Sequence, residues 1–234
     1  MQEKAAGTFK DLFVEGIKTV ALTMVLFVAI RGTIAEARYI PSSSMEPTLQ
    51  INDRLIVEKI SGILQQPIKR GDIIVFYPPA IELEGHDLSN DQLSILGRLT
   101  GFPFLPCEKA LIKRVVGLPG DRIAVKRGVG VFINGMLLDE SDYIKETPNY
   151  DLNTLADIGS PYASPYQVKA KPIIVPEGSL FVMGDNRNNS ADSHIWGFLD
   201  QKRVIGRACL LFWRPFADPK YSSYTGWSLN PQRP

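Results

Sequence analysis

Hydrophobic and polar positions follow two different rhythms along this 234-residue chain. The first is an unbroken apolar run, Thr19–Ile30 (TVALTMVLFVAI), bracketed by Lys18 and Arg31. Twelve helical residues rise about 18 Å, short of the roughly 30 Å of a bilayer's hydrocarbon core. Phe13, Val14, Ile17 and Ile34 lengthen the apolar stretch, and the bracketing cations can snorkel outward. Three readings fit: a membrane anchor over residues 13–35 behind a tail, 1–12; a signal peptide cut near Ala35-Glu36-Ala37; or a helix buried in a core.

From residue 36 onward the helical rhythm gives way to short runs of β-branched and aromatic residues bounded by turn formers. Arg54–Lys59, Asp72–Tyr77, Ala110–Val116, Arg122–Lys126, Ser179–Met183 and Val204–Phe212 read as strands. Val131–Leu138 reads as a hairpin about Asn134-Gly135, a pair suited to a type I′ turn. No amphipathic helices of about 12 residues alternate with these strands, which argues against a parallel α/β sheet. The pattern predicts a mostly β, antiparallel domain over residues 36–234. Two stretches look like insertions carried as surface loops, 78–109 and 143–172. The first is acidic and then turns apolar at Gly101–Pro106; the second is rich in Pro, Tyr, Asn and Ser.

Composition narrows the functions open to such a domain. Lys and Arg number 26 against 25 Asp and Glu, a formal net charge of +1. A nucleic-acid binder usually carries a strong basic excess, so no nucleic-acid partner is expected. The two cysteines, Cys107 and Cys209, supply no disulfide framework and no structural zinc site, which typically takes four Cys or His ligands. Their spacing does not decide whether the two pair with each other; two free thiols is the preferred reading, with Cys209 within a core strand. The histidines are His86 and His194, so a three-histidine metal site is impossible on count, and no metal or cofactor is expected. Neither histidine lies in a G-x-S-x-G context for a Ser-His-Asp triad.

Three polar segments carry candidate chemistry. Residues 41–49 are Pro-Ser-Ser-Ser-Met-Glu-Pro-Thr-Leu, which alone would be a turn. Residues 112–121, Ile-Lys-Arg-Val-Val-Gly-Leu-Pro-Gly-Asp, set a lysine in an apolar strand that ends in a turn. Alternation places Ile112 and Arg114 on one face and Lys113 and Val115 on the other, and a solvated strand lysine is the ordinary reading. Residues 184–197, Gly-Asp-Asn-Arg-Asn-Asn-Ser-Ala-Asp-Ser-His-Ile-Trp-Gly, suit a hydrogen-bonded loop network. Together with Arg70–Phe76, in this order and behind an apolar segment, these boxes resemble the type I signal peptidase family over roughly residues 13–78, 108–138 and 176–214.

The resemblance implies a catalytic domain of two antiparallel β-sheets behind an N-terminal transmembrane helix, and so favours the anchor reading. It implies a single-pass protein of the cell membrane, its catalytic domain on the trans side, periplasmic or thylakoid-lumenal. The implied activity is removal of N-terminal signal peptides from exported preproteins, with small residues at the −1 and −3 positions of the cut. Ser44, immediately before Met45, corresponds to the nucleophile and Lys113 to its general base. Ser42 corresponds to the serine whose hydroxyl helps form the oxyanion hole, and Ser190 to the serine that orients the lysine amine. Asp185, Asn186, Arg187 and Asp192 lie in the box that supports the site. His194 stands where the familiar bacterial pattern has Arg, as in the cyanobacterial and plastid thylakoidal branch, and reads as a hydrogen-bonded structural residue. The lipid bilayer is the second implied partner. Gly101–Pro106 with Phe212, Trp213 and Phe216 would either dip into it or pack as core.

Elementary chemistry makes the pairing reasonable. A serine hydroxyl is a weak nucleophile until a neighbour takes its proton. A lysine does so only when neutral, and burial among apolar neighbours disfavours the ammonium. A Ser/Lys dyad also explains how a histidine-poor chain can be a serine hydrolase. Two rivals are less well served. A self-cleaving repressor-type Ser/Lys peptidase would carry a DNA-binding helical domain in place of the apolar segment. A membrane-tethered binding module would have no use for both Ser44 and Lys113.

Overall fold

The computed structural model describes residues 2–79, 92–101, 110–152 and 173–215. Helix α1, Gln2–Thr33, opens the chain and continues upstream of the apolar run through good helix formers. Its stretch Phe9–Thr33 is long and apolar enough to cross a membrane, with mean hydropathy 2.0, and its apolar window is not buried by the rest of the fold. Val20, Val25 and Leu26 are all more than half exposed, which does not suit a core helix.

Strands β1 (Ala35–Tyr39), β2 (Arg54–Glu58), β3 (Ile73–Phe76), β4 (Leu111–Gly117), β5 (Arg122–Lys126), β6 (Gly130–Ile133), β7 (Met136–Leu137), β8 (Ile173–Ile174), β9 (Ser179–Met183), β10 (Leu199–Asp200) and β11 (Val204–Trp213) follow. They build a seven-stranded sheet ordered β1-β2-β11-β3-β4-β9-β10 and a four-stranded sheet ordered β7-β6-β5-β8. All the pairings are antiparallel. The mostly β fold of two antiparallel sheets expected from the sequence is therefore the fold of the chain. The β6–β7 hairpin turns at Asn134 and Gly135, both at positive φ, 53° and 87°, as a type I′ turn demands.

The expected strands appear with boundaries shifted by a residue or so. In β2 and β5 buried and open positions alternate. In β3 all four residues are buried, and in β4 every residue after Leu111 is buried, because these central strands are covered on both faces. Lys113 is thus not the solvated strand lysine that its isolated sequence would suggest. One apolar cluster gathers Met45 and Leu49 with Ile73, Val75 and Ile112 beneath the serine-rich turn. Another gathers Ile74, Val115, Val182 and Trp196 on the opposite face of the same strands.

Four expectations change. A nine-residue helix, Gln92–Thr100, lies inside the stretch read as a loop and packs against α1. At nine residues it falls below the roughly 12 at which an isolated helix is even marginal in water, so it owes its stability to tertiary packing. The start of the second insertion is not a surface loop either. Tyr150 and Leu152 are buried in the core of the smaller sheet, and Ile144 forms a β-bridge with Pro47. Cys209 is a free thiol, as expected, but exposed rather than in the core. Gly206 and Ala208 are buried, so plain strand alternation turns Cys209 outward, and the register of β11 slips at that point, between Ala208 and Leu210. Phe212 and Trp213 are exposed, which excludes core packing for them. Cys107, His86, Phe216 and residues 102–106 lie outside the described residues.

Candidate active site

The site forms where β4, the turn after β1 and the loop after β9 meet. Lys113 lies opposite Ile74 of β3 in register, on the face it shares with Val115. Neighbours on both sides leave the lysine only 3% exposed. Its Nζ donates a hydrogen bond to Ser44 Oγ at 2.8 Å. Ser44 is itself buried, on a turn held down by its buried neighbours Met45 and Leu49. Ser42 is exposed, and its Oγ lies 3.4 Å from that of Ser44, so the two hydroxyls lie side by side.

The polar loop 184–194 then grips this turn from the other side. The Asn186 backbone N–H donates to the Ser44 carbonyl at 3.1 Å, and its side-chain amide to the Ser43 carbonyl at 3.1 Å. Asn189 Nδ2 donates to Ser43 Oγ at 3.0 Å. A Cβ at Gly184 would collide with Ser190 Oγ and the Ser44 carbonyl, so this close approach requires glycine. Ser190 is accordingly packed beside the nucleophile turn. Its buried hydroxyl faces Asp192 but makes no well-formed hydrogen bond among the described residues.

Two buried ion pairs and a buried Asp–His contact support the arrangement. Arg114, next to Lys113, directs Nε and a terminal nitrogen at both oxygens of Asp185, at 2.8 and 2.6 Å. Thr48 Oγ1 also donates to Asp185, at 2.5 Å. Arg187 is fully buried and gives two 2.5 Å hydrogen bonds to Glu140 and a third, at 3.0 Å, to the Gly184 carbonyl. Asp192 accepts from the Gly184 N–H at 2.8 Å and contacts His194 Nδ1 at 2.6 Å. Burial alone would raise the Asp192 carboxyl, but His194 and the Gly184 N–H outweigh it and hold it below the ordinary carboxylate range. Burial likewise works against the charge on Arg114 and Arg187, and their carboxylate partners overcome it, so both guanidiniums are held above their usual value. His194 also stacks on Tyr150 at 4.2 Å, in keeping with a hydrogen-bonded structural histidine.

All eight residues singled out from the sequence thus gather around one turn and one loop. Thr48, Glu140, Tyr143 and Tyr150 were not singled out, and Arg114 was noted only for its strand face. Glu140 and Arg187 are separated by 47 positions, and no spacing rule announces such a pair. Among the described residues no group of His, Cys, Asp or Glu is placed to hold a metal ion.

Comparison with known proteins places this constellation. Residues 13–213 match the family model described as signal peptidase, peptidase S26. A signal peptidase I of Leptolyngbya laminosa is 45% identical over 199 residues, 85% of this chain and 79% of the relative. A probable signal peptidase I-2 of Synechocystis sp. is 43% identical over 198 residues, 84% of this chain and 71% of the relative. A probable thylakoidal processing peptidase 2, chloroplastic, of Arabidopsis thaliana is 33% identical over 201 residues, 86% of this chain and 44% of that protein. With the matching family model spanning most of its length, the chain belongs to the signal peptidase family, peptidase S26.

Proposed function

We infer that this protein is a membrane-bound signal peptidase I, a serine endopeptidase that removes N-terminal signal peptides from preproteins with Ser44 as nucleophile and Lys113 as general base. The observation that carries this reading is the buried 2.8 Å contact between Lys113 Nζ and Ser44 Oγ in a chain of this family. In the first step the neutral amine accepts the Ser44 proton as Oγ attacks the scissile carbonyl carbon. Negative charge passes to the carbonyl oxygen, where the Ser42 hydroxyl acts as an oxyanion donor. Collapse breaks the C–N bond, and the Lys113 ammonium returns its proton to the departing amine of the mature protein. Lys113 then takes a proton from water, which attacks the acyl-enzyme. The signal peptide leaves with a free carboxylate, and Ser44 regains its proton.

In this scheme Ser190 orients the Lys113 amine. Asp185, Asn186, Arg187 and Asp192 position the two loops and do not touch the reacting atoms. The substrate is a preprotein with small residues, typically Ala, at −1 and −3. Sequencing the new N-terminus after incubation with a preprotein is expected to show a single cut behind such a pair. Cleavage at scattered sites would overturn this specificity.

The apolar part of α1 is the retained, single-pass anchor, with the β-domain on the trans side and the bilayer as second partner. Its exposed apolar surface supports this. The protein is expected to remain in the membrane pellet after alkaline carbonate extraction. Release into the supernatant would show that α1 does not span.

A further inference from the structure

We propose that Tyr143 is a positioning residue that, together with Glu140, holds the Ser44–Lys113 geometry through the two buried arginines. This rests on the Ser/Lys reading above. Residues 140–145 leave the β6–β7 hairpin and run between the two loops of the site. Ile144 bridges Pro47 on the nucleophile's turn, and the Lys145 N–H donates to the Asp185 carbonyl at 3.1 Å. On the outer edge Lys145 Nζ contacts Glu46 at 2.8 Å. The segment therefore contacts both the nucleophile's turn and the 184–194 loop, although it belongs to neither.

Its two side chains each hold one arginine. Glu140, 4% exposed, spends both carboxylate oxygens on Arg187, which in turn fixes the Gly184 carbonyl. Gly184 is the residue whose Cα rests against the Ser44 carbonyl and Ser190. The Tyr143 hydroxyl donates to Glu140 Oε1 at 2.8 Å, and burial, reinforced by Glu140, pushes its phenol well above the usual range. It stays a neutral donor at any working pH. The Tyr143 ring lies 4.1 Å from the Arg114 guanidinium carbon, within range of a cation–π contact. Arg114 is the strand neighbour of Lys113 and the partner of Asp185. One tyrosine thus joins both guanidiniums. The ring limits where Arg114 can settle, and the hydroxyl limits where Glu140 and Arg187 can settle.

The consequence is selective. Relaxing Arg114 displaces β4 and the 184–190 loop by a fraction of an ångström relative to Ser44, without removing any group that binds substrate. A misplacement of about 1 Å at reacting atoms costs on the order of 100-fold in rate.

The test compares Tyr143→Phe and Tyr143→Leu in the full-length, detergent-solubilised protein, with Ser44→Ala in the same series. Phe keeps the ring over Arg114, and Leu removes it. Tyr143→Phe, which loses only the hydroxyl contact to Glu140, is expected to lose about three- to tenfold in kcat, and Tyr143→Leu, which loses the ring as well, roughly 10–100-fold, both with KM within about threefold of the parent. Both are normalised to folded protein by thermal unfolding. Should Tyr143→Leu not fold, Tyr143→Met, an unbranched and more adaptable side chain that also lacks the aromatic face, is read in the same way. A folded Leu or Met variant within threefold of the parent overturns the proposal, as does a loss confined to KM. Equal losses in Phe and Leu overturn the role of the ring. Activity surviving in Ser44→Ala would instead overturn the dyad itself, so the two failures are distinguishable.

Discussion

Ser44→Ala and Lys113→Ala are each expected to abolish preprotein cleavage, with losses of roughly 10⁴–10⁶ in kcat, and the double variant is expected to be no worse than either single one. The reason lies in the contact between Lys113 Nζ and Ser44 Oγ at 2.8 Å. Without the amine the hydroxyl keeps its proton and remains a poor nucleophile; without the hydroxyl the amine has nothing to activate. Groups that act as one unit give non-additive losses. Ser42→Ala should fall between, losing about 10²–10³ in kcat with little change in KM, because one oxyanion donor is used only in the transition state. Single-turnover cleavage of a preprotein, with folding checked by circular dichroism, measures all of these. Substantial cleavage by a folded Ser44→Ala or Lys113→Ala variant would falsify the dyad. So would a double variant whose loss is the product of the single losses.

Asp185→Ala is expected to be the most damaging substitution to stability among the supporting residues. Asp185 and Arg114 are 0% and 2% exposed and meet through both carboxylate oxygens. Removing one partner of a buried ion pair leaves the other charge uncompensated and costs about 3–5 kcal/mol. Domains are stable by only about 5–15 kcal/mol, so the loss is a large share of the total. For a chain of this size it corresponds to a fall in melting temperature of roughly 6–20 °C. Replacing both partners by apolar residues of similar volume, Arg114→Met with Asp185→Leu, is expected to recover much of that stability. The same double variant should stay slow, because Thr48 and the Tyr143 ring lose their common partner. Thermal unfolding in detergent of the parent, Arg114→Met, Asp185→Leu and the double variant completes the cycle, with Asp185→Ala measured beside them. An Asp185→Ala protein that melts within about 2 °C of the parent would show that the pair does not matter to stability.

Much of the fold was legible because it depends on local chemistry. A short run of β-branched residues between turn formers needs no distant partner to announce itself, and β5 and β9 fall where they were expected. The Asn134-Gly135 turn was legible for the same reason, since few other pairs tolerate two positive φ values. What escaped were elements without a local signature. β8 and β10 are two residues each, and each exists because a neighbouring strand offers hydrogen bonds. The exposure of Cys209 escaped because its apolar neighbours made the whole strand read as core, whereas alternation in β11, with Gly206 and Ala208 inward, puts it on the open face.

The sequence by itself determined the antiparallel β architecture, the apolar helix and the order of the serine, lysine and aspartate boxes. These follow from periodicity, turn chemistry and short motifs, all of which are local. Only the tertiary structure decided that Lys113, 69 residues from Ser44, is buried against it. It alone decided that Arg114 and Arg187 meet carboxylates 71 and 47 positions away. It also turned the start of an apparent insertion, Tyr143 to Leu152, into a wall of the site. The physical reason is that a charge is tolerated in a low-dielectric interior only where a partner waits, and chain folding, not sequence spacing, brings that partner there.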